Sequence, residues 1–361
     1  MMDDKIKLNE YYYDFLEYYR KAKVLQNNCN LGGQSFTGQV NDDLMEQVHI
    51  FDTVERQHAG FQNMLQDLWF GSSAPKHYKW QRLHKERNVS YDDQHKVWTR
   101  REWLWIFLFH RITGSGASFE ADHGYRNSVI PELAKLRTCE DMVEWVRNND
   151  STPMFTSIGN QIPMFPSKYL WESLNKSGFE YKTPGKLWLC ECMTDLVDDT
   201  WKAMDVKRAA EGGRVGIRDI VDYMCDWNRA RGIKRFHFQF TATAADLADY
   251  YPDMVDPISH MYYGKNAKEA MDMFAEKIGR YKKAFYYDHV MEAASKDTAG
   301  APRDLEDVMC DYIRYVENYI PSSKQKTYDH LDREAVWNTS SMVNHPKGRQ
   351  KWKLNTDLWE W

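Results

Sequence analysis

Polar and apolar positions alternate along this chain with a period of three to four residues almost throughout, the spacing of one face of a helix. Leu8 to Gln26 carries Tyr, Glu and Lys at that spacing, and Asp42 to Phe70 continues it until Gly71. At Thr99 the chain reads Thr-Arg-Arg-Glu, a capping box, and then Trp-Leu-Trp-Ile-Phe-Leu-Phe from Trp103 to Phe109, which predicts a buried helix stopped at Gly114. Further helices are predicted over Thr138 to Asn148, over Ser167 to Lys176 before Gly178, and over Leu187 to Ala210 before Gly212-Gly213. Ile217 to Arg231 ends at Gly232, Asn266 caps a long helix through Ala294, and Arg303 to Ile320 stops at Pro321. Strand signals are few. Lys234 to Thr241 alternates, with Phe236, Phe238 and Phe240 on one side, but a buried helix start produces the same run.

The pattern therefore predicts a mainly α protein with one large helical domain over 1–321 and an irregular polar tail over 322–361. The loop from Asn149 to Pro166, with Pro153 and Pro163 inside it, is the expected hinge or lobe boundary. Composition fits that picture: 361 residues, 42% hydrophobic and 28% charged, exclude a disordered chain, a collagen-like chain and a disulfide scaffold. No apolar run approaches the roughly 20 residues that span a bilayer, and the acidic opening Met-Met-Asp-Asp-Lys is no secretory signal. A cytoplasmic protein without a membrane partner is expected. The six cysteines are scattered, and only Cys190 and Cys192 are close, so reduced thiols and no metal site are expected.

Charge changes the picture more. The net charge is -5, yet Lys76 to Arg111 holds nine Lys and Arg against four acids. Tyr78, Trp80, Tyr91 and Trp98 are interleaved with them, a mixture able to neutralise phosphates and stack on bases. Within it Lys79, Arg82 and Arg87 are the candidate DNA contacts. The uncharged loop Ile158 to Pro166 adds Asn160 and Gln161, whose amides suit a base edge.

Three other segments carry candidate chemistry. Glu55-Arg56-Gln57 lies in a helix with Phe51 and Phe61. The segment after the central helix, His110-Arg111-Ile-Thr-Gly114-Ser115-Gly116-Ala-Ser118 and then Asp122 to Asn127, joins glycines and hydroxyls to Arg111 and Arg126. Backbone amides and guanidinium forks could converge there on a phosphate. It is neither a Walker loop nor a dinucleotide fingerprint, since no Gly-Lys-Ser/Thr follows and Phe119 replaces the third glycine. The third segment, Thr241 to Pro257, is a helix of small residues that leads through Pro252 to Val255-Asp256-Pro257. Pro257 holds Asp256 extended, so its carboxylate is a candidate base or electrostatic stabiliser. Tyr262 to Asn266 follows and could bring a cation, Lys265, to the same place.

Thr243-Ala244 followed by Val255-Asp256 resembles the helical DNA glycosylase fold, in which a Thr-Ala helix precedes a Val-Asp turn bearing the catalytic Asp. The chain departs from it where Gly232-Ile-Lys-Arg-Phe-His replaces a glycine-rich hairpin, and it shows neither a catalytic Lys nor cluster cysteines. The chain as a whole is more similar to a bacteriophage branch of that fold, the thymine-hypermodification amino acid:DNA transferases, also called alpha-glutamyl/putrescinyl thymine pyrophosphorylases. The helix around Phe51 and Glu55-Arg56-Gln57, the segment Trp80 to Asn88, and Phe109-His110-Arg111 carry that resemblance.

The resemblance implies a DNA-glycosylase-like helical fold with two lobes and a cleft between them. It also implies an enzyme acting in the cytoplasm of an infected bacterial cell on double-stranded DNA whose thymine is a phosphorylated or pyrophosphorylated hydroxymethyluracil. An amine such as glycine, glutamate or putrescine replaces the leaving group, without a cofactor. In that reading Asp256, with Glu55 second, orients or deprotonates the amine. Arg111 and Arg126, helped by Arg56, Arg82, Arg87, Ser115 and Gly116, meet the leaving group or the DNA. A conventional glycosylase using Asp256, or a non-catalytic phage DNA-binding protein, are the alternatives.

Overall fold

The computed structural model describes residues 6–29, 40, 42, 45, 54, 63–70, 97–113, 130–149, 165, 167–234, 236–276 and 283–319. Among these the protein is mainly helical, as its periodicity predicts. The expected hinge, beyond its ends, and the expected tail lie outside the described residues. No helix of the described residues is long and apolar enough to cross a membrane.

The chain divides into two compact units. The first combines residues 1–59, 76–78 and 263–361. Its helices are α1 (Glu10–Cys29), α10 (Lys265–Phe274), α11 (Lys283–Thr298) and α12 (Pro302–Tyr319). Its core is built of rings: Phe15 lies 4.9 Å from Phe274 and 5.5 Å from Tyr312, and Tyr18 lies 4.9 Å from Tyr315. A buried carboxylate, Asp42, is satisfied by Lys21 at 2.9 Å and the Tyr315 hydroxyl at 2.8 Å. The helix expected from Asn266 to Ala294 is two helices. Between them Ala275–Glu276 (β2) leaves the helical path to pair antiparallel with Lys7–Leu8 (β1), and the Asn9 side chain donates to the Met273 carbonyl at 2.6 Å. Partners more than 260 residues away in sequence thus override the local period. The cap of α10 is Gly264, whose amide is held by the Glu306 carboxylate at 2.8 Å, and not Asn266.

The second unit, residues 60–75 and 79–262, holds α2 (Asn63–Phe70), α3 (Arg100–Thr113), α4 (Cys139–Asn148), α5 (Lys168–Leu174), α6 (Pro184–Glu191), α7 (Met193–Glu211), α8 (Ile217–Ala230) and α9 (His237–Tyr250). Local chemistry sets most of their starts. Glu102 accepts the Thr99 amide at 3.0 Å, Thr138 and Asp141 form a reciprocal capping box, and Ser167 and Thr183 accept the amides of Leu170 and Lys186. Gly212 ends α7 in the left-handed conformation at φ 70°, a position that favours glycine.

One expectation fails here. Leu187 to Ala210 is not a single helix, because Cys192 (φ -122°) breaks it between α6 and α7. The cause is Glu191, whose carboxylate caps the turn after α5, taking the amides of Lys176 at 3.1 Å and Ser177 at 3.3 Å together with both the Ser177 and Tyr181 hydroxyls. Holding Glu191 at that turn fixes the direction of the last residue of α6.

Helix α9 is the axis of this unit. Residues Gln239 to Ala248 are all buried, and Ala242, Ala244, Ala245 and Ala248 let α3 and α8 pack closely on it. The alternating run before it is a helix start and not a strand: buried Phe236 adopts φ 75° and α9 begins at His237. At the other end, Trp69, Trp103, Phe107, Tyr250 and Tyr251 form a continuous ring cluster with centroids 4.6 to 5.9 Å apart.

Candidate functional site

Two of the segments singled out for chemistry meet in the second unit. Phe107 of α3 stacks on Tyr250 of α9 at 5.1 Å, and one turn further along α3 Arg111 reaches Asp246, one turn back along α9. The two helices are therefore antiparallel, and the C-terminal turn of α3 lies on the middle of α9. Arg111 Nε donates to Asp246 Oδ2 and Nη2 to Oδ1, both at 2.6 Å. The Asp246 side chain is 0% exposed and that of Arg111 8%. This is the fork geometry in which a planar guanidinium matches a carboxylate. In the interior neither charge is tolerable alone, so each fixes the rotamer of the other.

The same polar strip continues on both helices. Thr113 returns its hydroxyl to the Phe109 carbonyl at 2.6 Å, and Thr241 does the same to His237 at 2.8 Å. Thr243, fully buried on α9, makes no such bond: its hydroxyl has no hydrogen-bond partner among the described residues.

Asp256 lies after the end of α9. Val255 bridges Val215, the Asp256 amide donates to the Val215 carbonyl at 2.8 Å, and the Asp256 carbonyl accepts both the amide and the hydroxyl of Ser259. Its carboxylate accepts the Ile258 amide at 3.4 Å and pairs with Arg214 at 3.0 Å. The side chain is 29% exposed, so this carboxylate is partly open to solvent. Ser259 Oγ in turn accepts the amide of Ile217, which ties the turn to the start of α8. Lys265 opens α10 in the other unit and faces Glu269 at 3.7 Å.

Of the candidates, then, the structure places Arg111 in a closed bidentate pair and Asp256 in a partly open turn beside a cation. Glu55, Arg56, Lys79, Arg82, Arg87, Ser115, Gly116, Arg126, Asn160 and Gln161 lie outside the described residues. Asp246 and Arg214 are additions. A signal for Asp246 exists in the sequence, since a single acid inside Ala-Thr-Ala-Ala-Asp-Leu-Ala cannot be buried without a cation. The thiols of Cys190 and Cys192 are pushed up to about 12 by burial, which keeps both unreactive at neutral pH.

Comparison with known proteins finds no family model that matches this chain, no matching curated protein and no matching solved structure.

Proposed function

We propose that this chain is a DNA base-modifying transferase with a DNA-glycosylase-like helical fold, which replaces the phosphate or pyrophosphate of a phosphorylated hydroxymethyluracil with an amine or amino acid. The observation that supports it is the Arg111–Asp246 pair. It joins the segment read as an anion site to the helix read as the carrier of the catalytic carboxylate, two parts of the chain that sequence alone leaves unconnected.

In this reaction the amine nitrogen attacks the exocyclic methylene carbon, the carbon–oxygen bond to the leaving group breaks, and phosphate or pyrophosphate departs with the electron pair. Asp256 takes the proton released by the amine, and Glu55 is the second candidate for that role. Arg111, whose charge Asp246 already balances, orients the end of α3. The charge of the leaving group then falls to Arg126 and Arg56, with the backbone around Ser115 and Gly116. Lys79, Arg82 and Arg87 hold the DNA backbone, and Asn160 and Gln161 contact base edges. No oxidation state changes, so the displacement needs no redox partner. The enzyme would act in the cytoplasm of an infected bacterial cell.

The test is to incubate the protein with DNA containing pyrophosphorylated hydroxymethyluracil and a pool of amino acids and polyamines, digest to nucleosides and weigh them. A thymidine derivative heavier by one amine is the expected product and names the donor. Abasic sites would make the chain a glycosylase using the same Asp256, and untouched DNA with tight binding would make it a binding protein.

A further inference from the structure

Resting on that reading, we infer that Arg214 is the specificity residue for the amine donor. It receives the carboxylate of an α-amino acid whose amino group lies on Asp256, so that such a donor is used in preference to a polyamine. The two side chains are mounted on a fixed frame. Val215 and Val255 are buried and form a parallel bridge, in which the Val215 amide donates to the Met254 carbonyl at 2.9 Å and the Asp256 amide to the Val215 carbonyl at 2.8 Å. Arg214 precedes the first valine and Asp256 follows the second, so the bridge holds their backbones side by side.

The charged ends, in contrast, keep unused capacity. Three arginines meet the segment from Asp253 to Met261. Arg208 donates to the Asp253 carbonyl at 3.5 Å, and Arg218 donates to the Met261 carbonyl through Nε at 3.1 Å and Nη2 at 3.0 Å. Arg214 differs from both: among the described residues it donates no hydrogen bond, and its Nη2 stands 3.0 Å from Asp256 Oδ1 in an ion pair. That Oδ1 also accepts the Ile258 amide at 3.4 Å, whereas Oδ2 accepts no hydrogen bond among the described residues. A guanidinium carries five N–H donors in a fork that fits a carboxylate. Because both side chains are partly exposed, a ligand reaches these groups from solvent without opening the core.

Charge selects the ligand class. A guanidinium fork and an unused carboxylate oxygen in contact present both signs at one place. The ammonium and carboxylate of an α-amino acid are joined through one carbon, so they meet the two groups together. A polyamine brings cations alone, one suited to Asp256 and the next repelled by Arg214. The donor carboxylate also gains two parallel bonds from the fork, which Asp256 does not take from it. Ile258, two residues after Asp256 and 67% exposed, offers apolar surface to the carbon chain of the donor.

The experiment uses the full-length protein and DNA bearing pyrophosphorylated hydroxymethyluracil, with glycine, glutamate, glycinamide or putrescine supplied one at a time and the adducts weighed after digestion to nucleosides. Glycinamide keeps the amine and lacks the negative charge. Wild type is expected to favour glycine or glutamate over glycinamide and putrescine at least about tenfold in kcat/KM. Arg214→Gln should raise KM for the preferred amino acid at least about tenfold and leave kcat/KM for glycinamide within about threefold. If Arg214 merely held Asp256 in place, both donors would lose kcat alike, and that result overturns this inference while the transferase reading stands. A wild type that uses glycinamide or putrescine as well as the amino acids does the same. If no donor yields an adduct, the transferase reading falls, and saturation-transfer NMR with glycine, glutamate and glycinamide decides the site. Signal from an amino acid that Arg214→Gln abolishes keeps it; equal signal from acid and amide, or none, rejects it.

Discussion

Two Arg–Asp pairs in the second unit put the same side chains to opposite uses. Arg111–Asp246 is closed: two bonds of 2.6 Å, with both side chains almost entirely inside. Arg214–Asp256 is open: one contact of 3.0 Å, with the side chains 45% and 29% exposed. In the first, each group has exchanged water for the other, so the pair is a brace between α3 and α9. In the second both groups remain partly hydrated, so the carboxylate remains able to exchange partners or take a proton. The sequence presents Arg111 and Asp256 as equals. Their surroundings divide them into a positioning residue and a candidate catalytic one.

The sharpest way to break this comparison is to remove one partner of the closed pair. Asp246→Ala removes the carboxylate that accepts both bonds of a buried guanidinium and is expected to cost about 3–5 kcal/mol, read from the denaturant midpoint. A loss under about 1 kcal/mol would mean the pair is not the brace described. Replacing both partners, Arg111→Met with Asp246→Leu, should recover most of that loss, because two apolar side chains of similar volume need no solvation. If the double variant is as unstable as the single one, packing and not charge carries the effect.

The open pair should behave in the reverse way. Arg214→Ala is expected to change stability by no more than about 1 kcal/mol, and Asp256→Asn by no more, since asparagine can still accept the Ile258 amide. Asp256→Asn should nevertheless abolish formation of the modified nucleoside while DNA affinity at one salt concentration stays within about threefold. Full turnover in that variant would remove Asp256 from the chemistry.

The smallest effect concerns acid. Arg100 donates to Asp205 at 2.9 Å and the Trp227 indole donates to Asp199 at 2.9 Å, which holds both carboxyls below the usual range. Groups whose pKa is depressed on folding contribute stability above the unfolded value of about 4, and that contribution disappears as pH falls through the folded value. The drop in melting temperature between pH 7 and pH 3 should therefore be smaller in Asp205→Asn than in wild type.

Much of the fold was legible where the deciding partner is near in sequence. The caps at Thr99, Thr138 and Ser167 lie three residues from the groups they bind, and the left-handed stop at Gly212 needs only the absence of a Cβ. The elements misjudged are those whose partner is distant. Glu191 leans on the turn at Lys176 and Ser177 and so ends α6, and Ala275–Glu276 is drawn to Lys7–Leu8. The same rule holds for the candidate site. That the Asp256 carboxylate would be accessible followed from its place beside Pro257. That Arg111 would be spent on Asp246 did not, because the two are 135 residues apart and only the antiparallel packing of α3 on α9 brings them together.

By itself, then, the sequence determined the helical class, most helix starts and the residue types available for chemistry, since periodicity and capping act over a few residues. The tertiary structure alone decided which charges face each other, which are dehydrated, and which buried hydroxyls are left without a hydrogen bond. Those depend on the distance and solvation of groups far apart in the chain, and the cost of burying a charge or a polar group is settled only when its neighbours are in place.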